Sequence, residues 1–115
     1  MAKKIRWHKI APDEETLQLE EKDIKISEFD GRQICITRHN NQLYGFAYKC
    51  PHAGAFMSRG YIDMQGNAVC PLHRYKFSLQ NGRNTSGEGY YMKTYPIDIR
   101  EDGVYAGVEE SSFLF

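Results

Sequence analysis

Two short turns constrain this chain more than anything else in it: Cys50-Pro51-His52 and Cys70-Pro71-Leu72-His73. Seventeen residues separate His52 from Cys70. Each turn carries one thiol and one imidazole, so Cys50, His52, Cys70 and His73 can close one metal site from two loops that meet face to face. Structural zinc also takes Cys and His, but its sites usually open with a pair of cysteines two to four residues apart. Here every turn mixes the two ligand types, and the first leaves a single residue between them. That grouping suits a two-iron centre in which two Cys hold one iron and two His hold the other.

The rest of the chain reads as short strands and turns. Ile24-Lys25-Ile26 alternates and is followed by Asp30-Gly31. Gln33 to Arg38 is β-branched and apolar. His39-Asn40-Asn41 is a polar turn, and Leu43 to Tyr48 carries aromatics at 44, 46 and 48. Ala68-Val69, Tyr75 to Ser78, Tyr95 to Ile99 and Val104 to Val108 also read as strands, with Gln80-Asn81-Gly82 and Glu101-Asp102-Gly103 as turns. Period-two patterning between turn residues predicts antiparallel strands. Only Pro12 to Leu19 suggests a short helical turn. The expected fold class is therefore all-β, small antiparallel sheets in a sandwich, with residues 1–115 forming a single domain.

Three cysteines are an odd number, and two have a better use than a disulfide, which fits a reducing compartment. Cys35, inside Gln33-Ile34-Cys35-Ile36-Thr37, reads as a small core hydrophobe. His8 and His39 read as surface histidines. No apolar run approaches the ~20 residues that span a bilayer, and no secretory signal follows the basic start, so a soluble cytoplasmic protein is expected. Nothing suggests a nucleic-acid partner, a phosphate-cradling loop or a nucleophile–base pair.

Charge balances overall, with 15 Lys and Arg against 15 Asp and Glu, but it is unevenly placed. Residues 11–30 hold eight acids against Lys22 and Lys25, a net of −6. Residues 49–93 hold Lys49, Arg59, Arg74, Lys76, Arg83 and Lys93 against Asp63 and Glu88, a net of +4. Two readings stand side by side: ordinary solvated surface, or a basic collar that steers an acidic partner toward the metal.

Beyond the four ligands, Trp7-His8-Lys9-Ile10, Leu43-Tyr44-Gly45-Phe46, Ser58-Arg59-Gly60, the run Cys70 to Leu79 and Tyr95-Pro96-Ile97 make nearly the whole chain resemble the soluble Rieske-type [2Fe–2S] ferredoxins. The resemblance implies one Rieske cluster per chain, held by Cys50, His52, Cys70 and His73 in a two-loop subdomain. The loops would run over about residues 50–55 and 70–75. It also implies a monomeric electron carrier, not itself an enzyme, that takes electrons from a ferredoxin reductase and passes them to a terminal oxygenase or similar acceptor. Alternatives are a fixed small subunit of a larger redox enzyme such as a nitrite reductase, a redox-sensing module, and a zinc-stabilised interaction domain.

The chain departs from many relatives in the segment 85–89, and from the high-potential members in two further places. Ala55 and Leu72 stand where those proteins have a loop-joining disulfide. Tyr75 and Phe77 stand where they have hydroxyls that bond cluster sulfurs, which implies a potential at the low end of the Rieske range, about −150 mV. Thr85-Ser86-Gly87-Glu88-Gly89 replaces a Pro-rich covering segment. The apolar tail Ser111 to Phe115 is expected to pack on the sheet.

Overall fold

A computed structural model describes residues 3–111. The expected tail packing falls outside this range apart from the backbone of Ser111. Among the described residues ten strands follow one another: β1 (Lys3–Ala11), β2 (Ile24–Phe29), β3 (Arg32–His39), β4 (Gln42–Ala47), β5 (Tyr61–Ile62), β6 (Asn67–Val69), β7 (Lys76–Ser78), β8 (Thr94–Tyr95), β9 (Ile97–Arg100) and β10 (Gly103–Ser111). Single 3-10 turns at Glu15–Leu17 and Met57–Arg59 interrupt them. No α-helix occurs among the described residues, and none of their helices is long and apolar enough to cross a membrane. The all-β expectation holds.

Three antiparallel sheets result. Their strand orders are β1-β10-β9, β2-β3-β4-β8 and β5-β6-β7. The first two form a base and the third is the tip that carries both ligand turns. Turn chemistry sets the register of the base. Asn40 and Asn41 both take positive φ, 51° and 66°, which joins β3 to β4 by a two-residue turn. Such a turn needs left-handed residues at both centres, and Asn tolerates that backbone. His39 is consequently the last strand residue and not part of the turn.

This corrects the surface assignment of His39. It is 8% exposed, with Nδ1 3.6 Å from Glu21 Oε2 and its ring against the backbone of Gly66. His8 is half-buried on β1, its ring 4.8 Å from that of Phe29. The short helical turn expected over 12–19 contracts to three residues.

β3 is the central element because it is buried on both faces. Ile34 and Ile36 point into a core with Leu19, Phe29, Tyr95, Ala106 and Val108. Cys35 points the other way, into a core shared with Phe46, Met57, Phe77, Cys50 and Cys70. Alternate residues of a strand face opposite sides, so a nearly continuous apolar run serves two cores at once. Burying each large side chain stabilises by about 1.5–3 kcal/mol. Burial also pushes the Cys35 thiol up to about 12, so it stays protonated and acts as a small apolar group, as the sequence suggests. Tyr44 and Tyr48 pack on the same face as Phe46, so the alternating aromatics of β4 serve the core.

Candidate metal centre

Each ligand turn is closed by one backbone hydrogen bond between its first and sixth residues. The Cys50 amide donates to the Ala55 carbonyl at 2.7 Å, and the Cys70 amide donates to the Tyr75 carbonyl at 2.9 Å. The loops are therefore 50–55 and 70–75, as expected. Within the first, the Gly54 amide returns to the Cys50 carbonyl at 2.8 Å, and Gly54 has φ 72°. Its glycine answers to that left-handed backbone, since an added Cβ would meet nothing within 4 Å. Gly60 is different. A Cβ there would lie 1.9 Å from the Val69 carbonyl oxygen, so only glycine lets the first loop's exit pack against β6 beside Cys70. In the second loop His73 and Arg74 have φ 67° and 60°. Non-glycine residues in that region are uncommon, and such strain collects at functional sites.

The two loops face each other across the tip. Ligand atoms of Cys50, His52 and Cys70 lie within 4.8 Å of one another. Cys50 Sγ is 3.4 Å from His52 Nδ1. His73 joins through its neighbour, its Nδ1 3.2 Å from His52 Nε2. Both cysteines are buried, at 2% and 0% exposure, whereas His52 is half-buried and His73 exposed. Burial, with Cys50 alongside, pushes the Cys70 thiol up to about 11. The Leu72 amide, 3.4 Å from Cys70 Sγ, acts in the opposite sense, favouring thiolate.

This donor set fits an iron–sulfur pair. A single tetrahedral ion could use the same four residues. However, sulfur is segregated inside and imidazole outside, which matches one buried thiolate-ligated iron and one outer imidazole-ligated iron. Positive metal would lower the raised thiol, because a coordinating thiol is deprotonated. Ala55 and Leu72 occupy the loops as expected, and all three cysteines are free. Phe77 is wholly buried and offers no hydroxyl, while the Tyr75 ring stacks on His52 with centroids 4.0 Å apart.

The proposed basic collar is thinner than the charge count suggests. Lys76 Nζ is 3.7 Å from Asp63 Oδ2, Arg59 lies over the Phe56 ring at 5.6 Å and Lys93 over the Tyr95 ring at 5.7 Å. Arg74 remains exposed beside His73. Two contributors escape sequence reading: Asn84, which organises the loop over 84–89, and Tyr90, whose ring centroid is 5.6 Å from that of His52. The only sequence signal is the turn-rich composition of Asn84 to Gly89. The Ser86 hydroxyl, then Asn84, hold the Glu88 carboxyl below its ordinary range, against the opposing effect of desolvation; the nearby His52 adds to the lowering.

The Rieske [2Fe–2S] domain family model matches residues 6–96. A 3-phenylpropionate/cinnamic acid dioxygenase ferredoxin subunit of Photorhabdus laumondii is 27% identical over 78 residues, covering 67% of this chain and 74% of that one. A chain of the complex of reduced oxygenase and oxidised ferredoxin in carbazole 1,9a-dioxygenase has TM-score 0.73 and 22% identity, covering 87% of this chain and 91% of that one. A Mycobacterium tuberculosis chain assigned as an NADH-dependent nitrite reductase small subunit has TM-score 0.76 at 20% identity, covering 91% and 96%. At these identities the two structural matches show a shared fold.

Proposed function

Because this chain belongs to the Rieske [2Fe–2S] domain family, we propose that it is an electron carrier in which Cys50 and Cys70 bind one iron and His52 and His73 the other. Residues 1–115 act as one monomeric cytoplasmic unit, taking electrons from a ferredoxin reductase and delivering them to a terminal oxygenase. The observation that carries the reading is the segregation of the ligand set, with two buried thiols beneath two imidazoles that reach the surface. The bound cluster supplies reversible one-electron transfer.

The residues of the chain do the rest. The buried thiols neutralise metal charge where solvent cannot. The loop amides, such as that of Leu72, stabilise negative charge on sulfur. The imidazoles connect this interior to a partner's surface. Leu72, 43% exposed, and the exposed Pro71, His73 and Arg74 give that partner a small apolar and cationic landing. The curated relative named above is a ferredoxin subunit of a dioxygenase, which supports the oxygenase as acceptor. The nitrite reductase alternative has fold likeness alone on its side.

Purified protein should contain two irons and two acid-labile sulfides per chain and give a Rieske electron paramagnetic resonance signal. Cys50→Ser and His73→Ala should each abolish that signal. Zinc in place of iron, or a normal Rieske signal in either variant, would overturn the ligand assignment. Reduction by a ferredoxin reductase with NADH, followed by reoxidation with an oxygenase, tests the carrier role. A chain that purifies only as part of a fixed complex would favour the subunit alternative.

A further inference from the structure

The loop between β7 and β8 has little regular structure, yet side chains tie it down, chiefly that of Asn84. Asn84 Nδ2 donates to the Lys76 carbonyl at 2.9 Å, to Ser86 Oγ at 3.2 Å and to Glu88 Oε1 at 3.0 Å. Asn84 Oδ1 accepts from the Gly89 amide at 2.8 Å and from the Glu88 amide. The Lys76 amide donates to Ser86 Oγ at 2.9 Å, and the Thr85 amide to the Lys76 carbonyl at 2.8 Å. Residues 84–89 are thus fastened to the start of β7, directly after the second ligand loop.

This tether delivers Tyr90 to the metal centre. The Tyr90 ring lies 5.6 Å from His52 and 5.8 Å from Tyr75, and Tyr75 lies 4.0 Å from His52. The rings of Tyr75 and Tyr90 close a triangle with the His52 imidazole. His73 lies 5.3 Å from His52 and 6.3 Å from Tyr75, but the Tyr90 contact belongs to His52, and the His73 side chain is exposed. Ring pairs of this geometry shift an equilibrium by about 2- to 10-fold each. The two histidines that the ligand pattern treats alike therefore occupy unequal positions.

We propose that Asn84 and Tyr90 are positioning residues that lock His52 against Tyr75, so that His73 is the imidazole offered to an electron-transfer partner. This rests on the reading of both histidines as ligands. It also gives the segment that replaces a Pro-rich cover a definite task. Hydrogen bonds centred on Asn84 and Ser86 hold it in place, and an aromatic ring makes the contact.

Carbethoxylation of the holoprotein by diethyl pyrocarbonate, resolved by residue with mass spectrometry, reads the asymmetry directly. His73 should react about threefold or more faster than His52, in line with the Tyr90 ring contact made to His52 and the exposure of His73. Tyr90→Leu should raise the His52 rate toward that of His73 and leave His73 unchanged. Asn84→Ala should do the same, and Tyr90→Phe should keep the wild-type ratio. The visible circular dichroism of the bound cluster should change in Tyr90→Leu and return in Tyr90→Phe, which a general loosening of the fold would not produce. Tyr90 is 42% exposed, so its replacement leaves the core intact. Equal wild-type rates, or an unchanged ratio in either Tyr90→Leu or Asn84→Ala, would overturn the proposal. Wild-type protein lacking stoichiometric iron and sulfide would instead overturn the ligand reading on which it rests.

Discussion

β1 and β10 pair continuously from Lys3↔Ser111 to Ala11↔Val104, broken only by a bulge near Lys9, whereas β5 pairs with β6 at two positions and β6 with β7 at three. Long backbone ladders hold the base. Side chains hold much of the tip. Asp63 accepts from the amides of Gln65 and Asn67 and from Asn67 Nδ2, and it pairs with Lys76. Asn84 plays the same part on the other side of the ligand turns. A ladder consumes backbone amides, so loops free of it can turn theirs toward sulfur. The cost is local: a tip with short ladders opens more easily than the sheets beneath it. The shared core of Cys35, Phe46, Phe77, Cys50 and Cys70 joins the two regions.

Removing the metal should separate them most sharply. Any group that binds the native tip alone stabilises it by mass action, about 2.7 kcal/mol when present at 100 times its dissociation constant. Chelation of iron from the reduced protein should therefore lower amide-exchange protection in Asn67–Val69 and Lys76–Ser78 by about 100-fold or more. Protection in Ile34–Thr37 and Val104–Val108 should change little. Equal losses in both regions would break the comparison and make the molecule a single cooperative unit.

The same division governs what the sequence reveals. The gathering of Cys50, His52, Cys70 and His73, both loop limits and the strands from β2 to β4 are legible because their signals are local: fixed Cys–His spacing, alternation, turn residues. β1 escapes because Lys3, Lys4, Arg6, His8 and Lys9 make it polar, the bulge breaks its alternation, and its partner lies about a hundred residues away. β5 is too short to show a period. Pro96 divides the expected strand over 95–99 into β8 and β9, since proline offers no amide to a ladder. His39 looks like part of a turn until the two positive φ values of Asn40 and Asn41 take up the whole reversal. Asn84 and Tyr90 are harder still. Their composition announces a turn, but which ring the turn places on which histidine depends on three sheets meeting.

Asp63→Ala sharpens the comparison at intermediate size. It strands the buried Asn67 amide group and should destabilise the tip by about 2 kcal/mol, measured as loss of exchange protection confined to β5–β7. Burial pushes the Asp63 carboxyl up, but hydrogen bonds from Asn67 and Gln65 and the charge of Lys76 outweigh it and leave the group below its ordinary value. A depressed carboxyl contributes stability above its unfolded value, about 3.9, and loses it as pH falls through the folded value. The penalty of Asp63→Ala should thus be constant from neutral pH to about 5 and shrink below about 4. A penalty independent of acid would mean that the carboxylate charge is irrelevant to the turn.

Thr37→Val is the matching change in the base, and the smallest. Thr37 is wholly buried in β3, and its hydroxyl donates to the Asp23 carbonyl at 2.6 Å. Valine keeps the shape and the β-branching that suit a strand, so the change removes little beyond this bond. Its loss should cost about 1 kcal/mol, read from the midpoint of urea unfolding. The informative quantity is where that cost appears. β3 pairs with β2 on one side and β4 on the other, and both cores rest on it. A defect there cannot be relieved by opening the tip alone. Exchange protection should therefore fall at Ile36 and Val104 and hold at Ala68, which exchanges through opening of the tip, the converse of the confined loss in Asp63→Ala. A loss restricted to β2 and β3 would show that the base, too, is divisible, and that ladder length alone does not make a region cooperative.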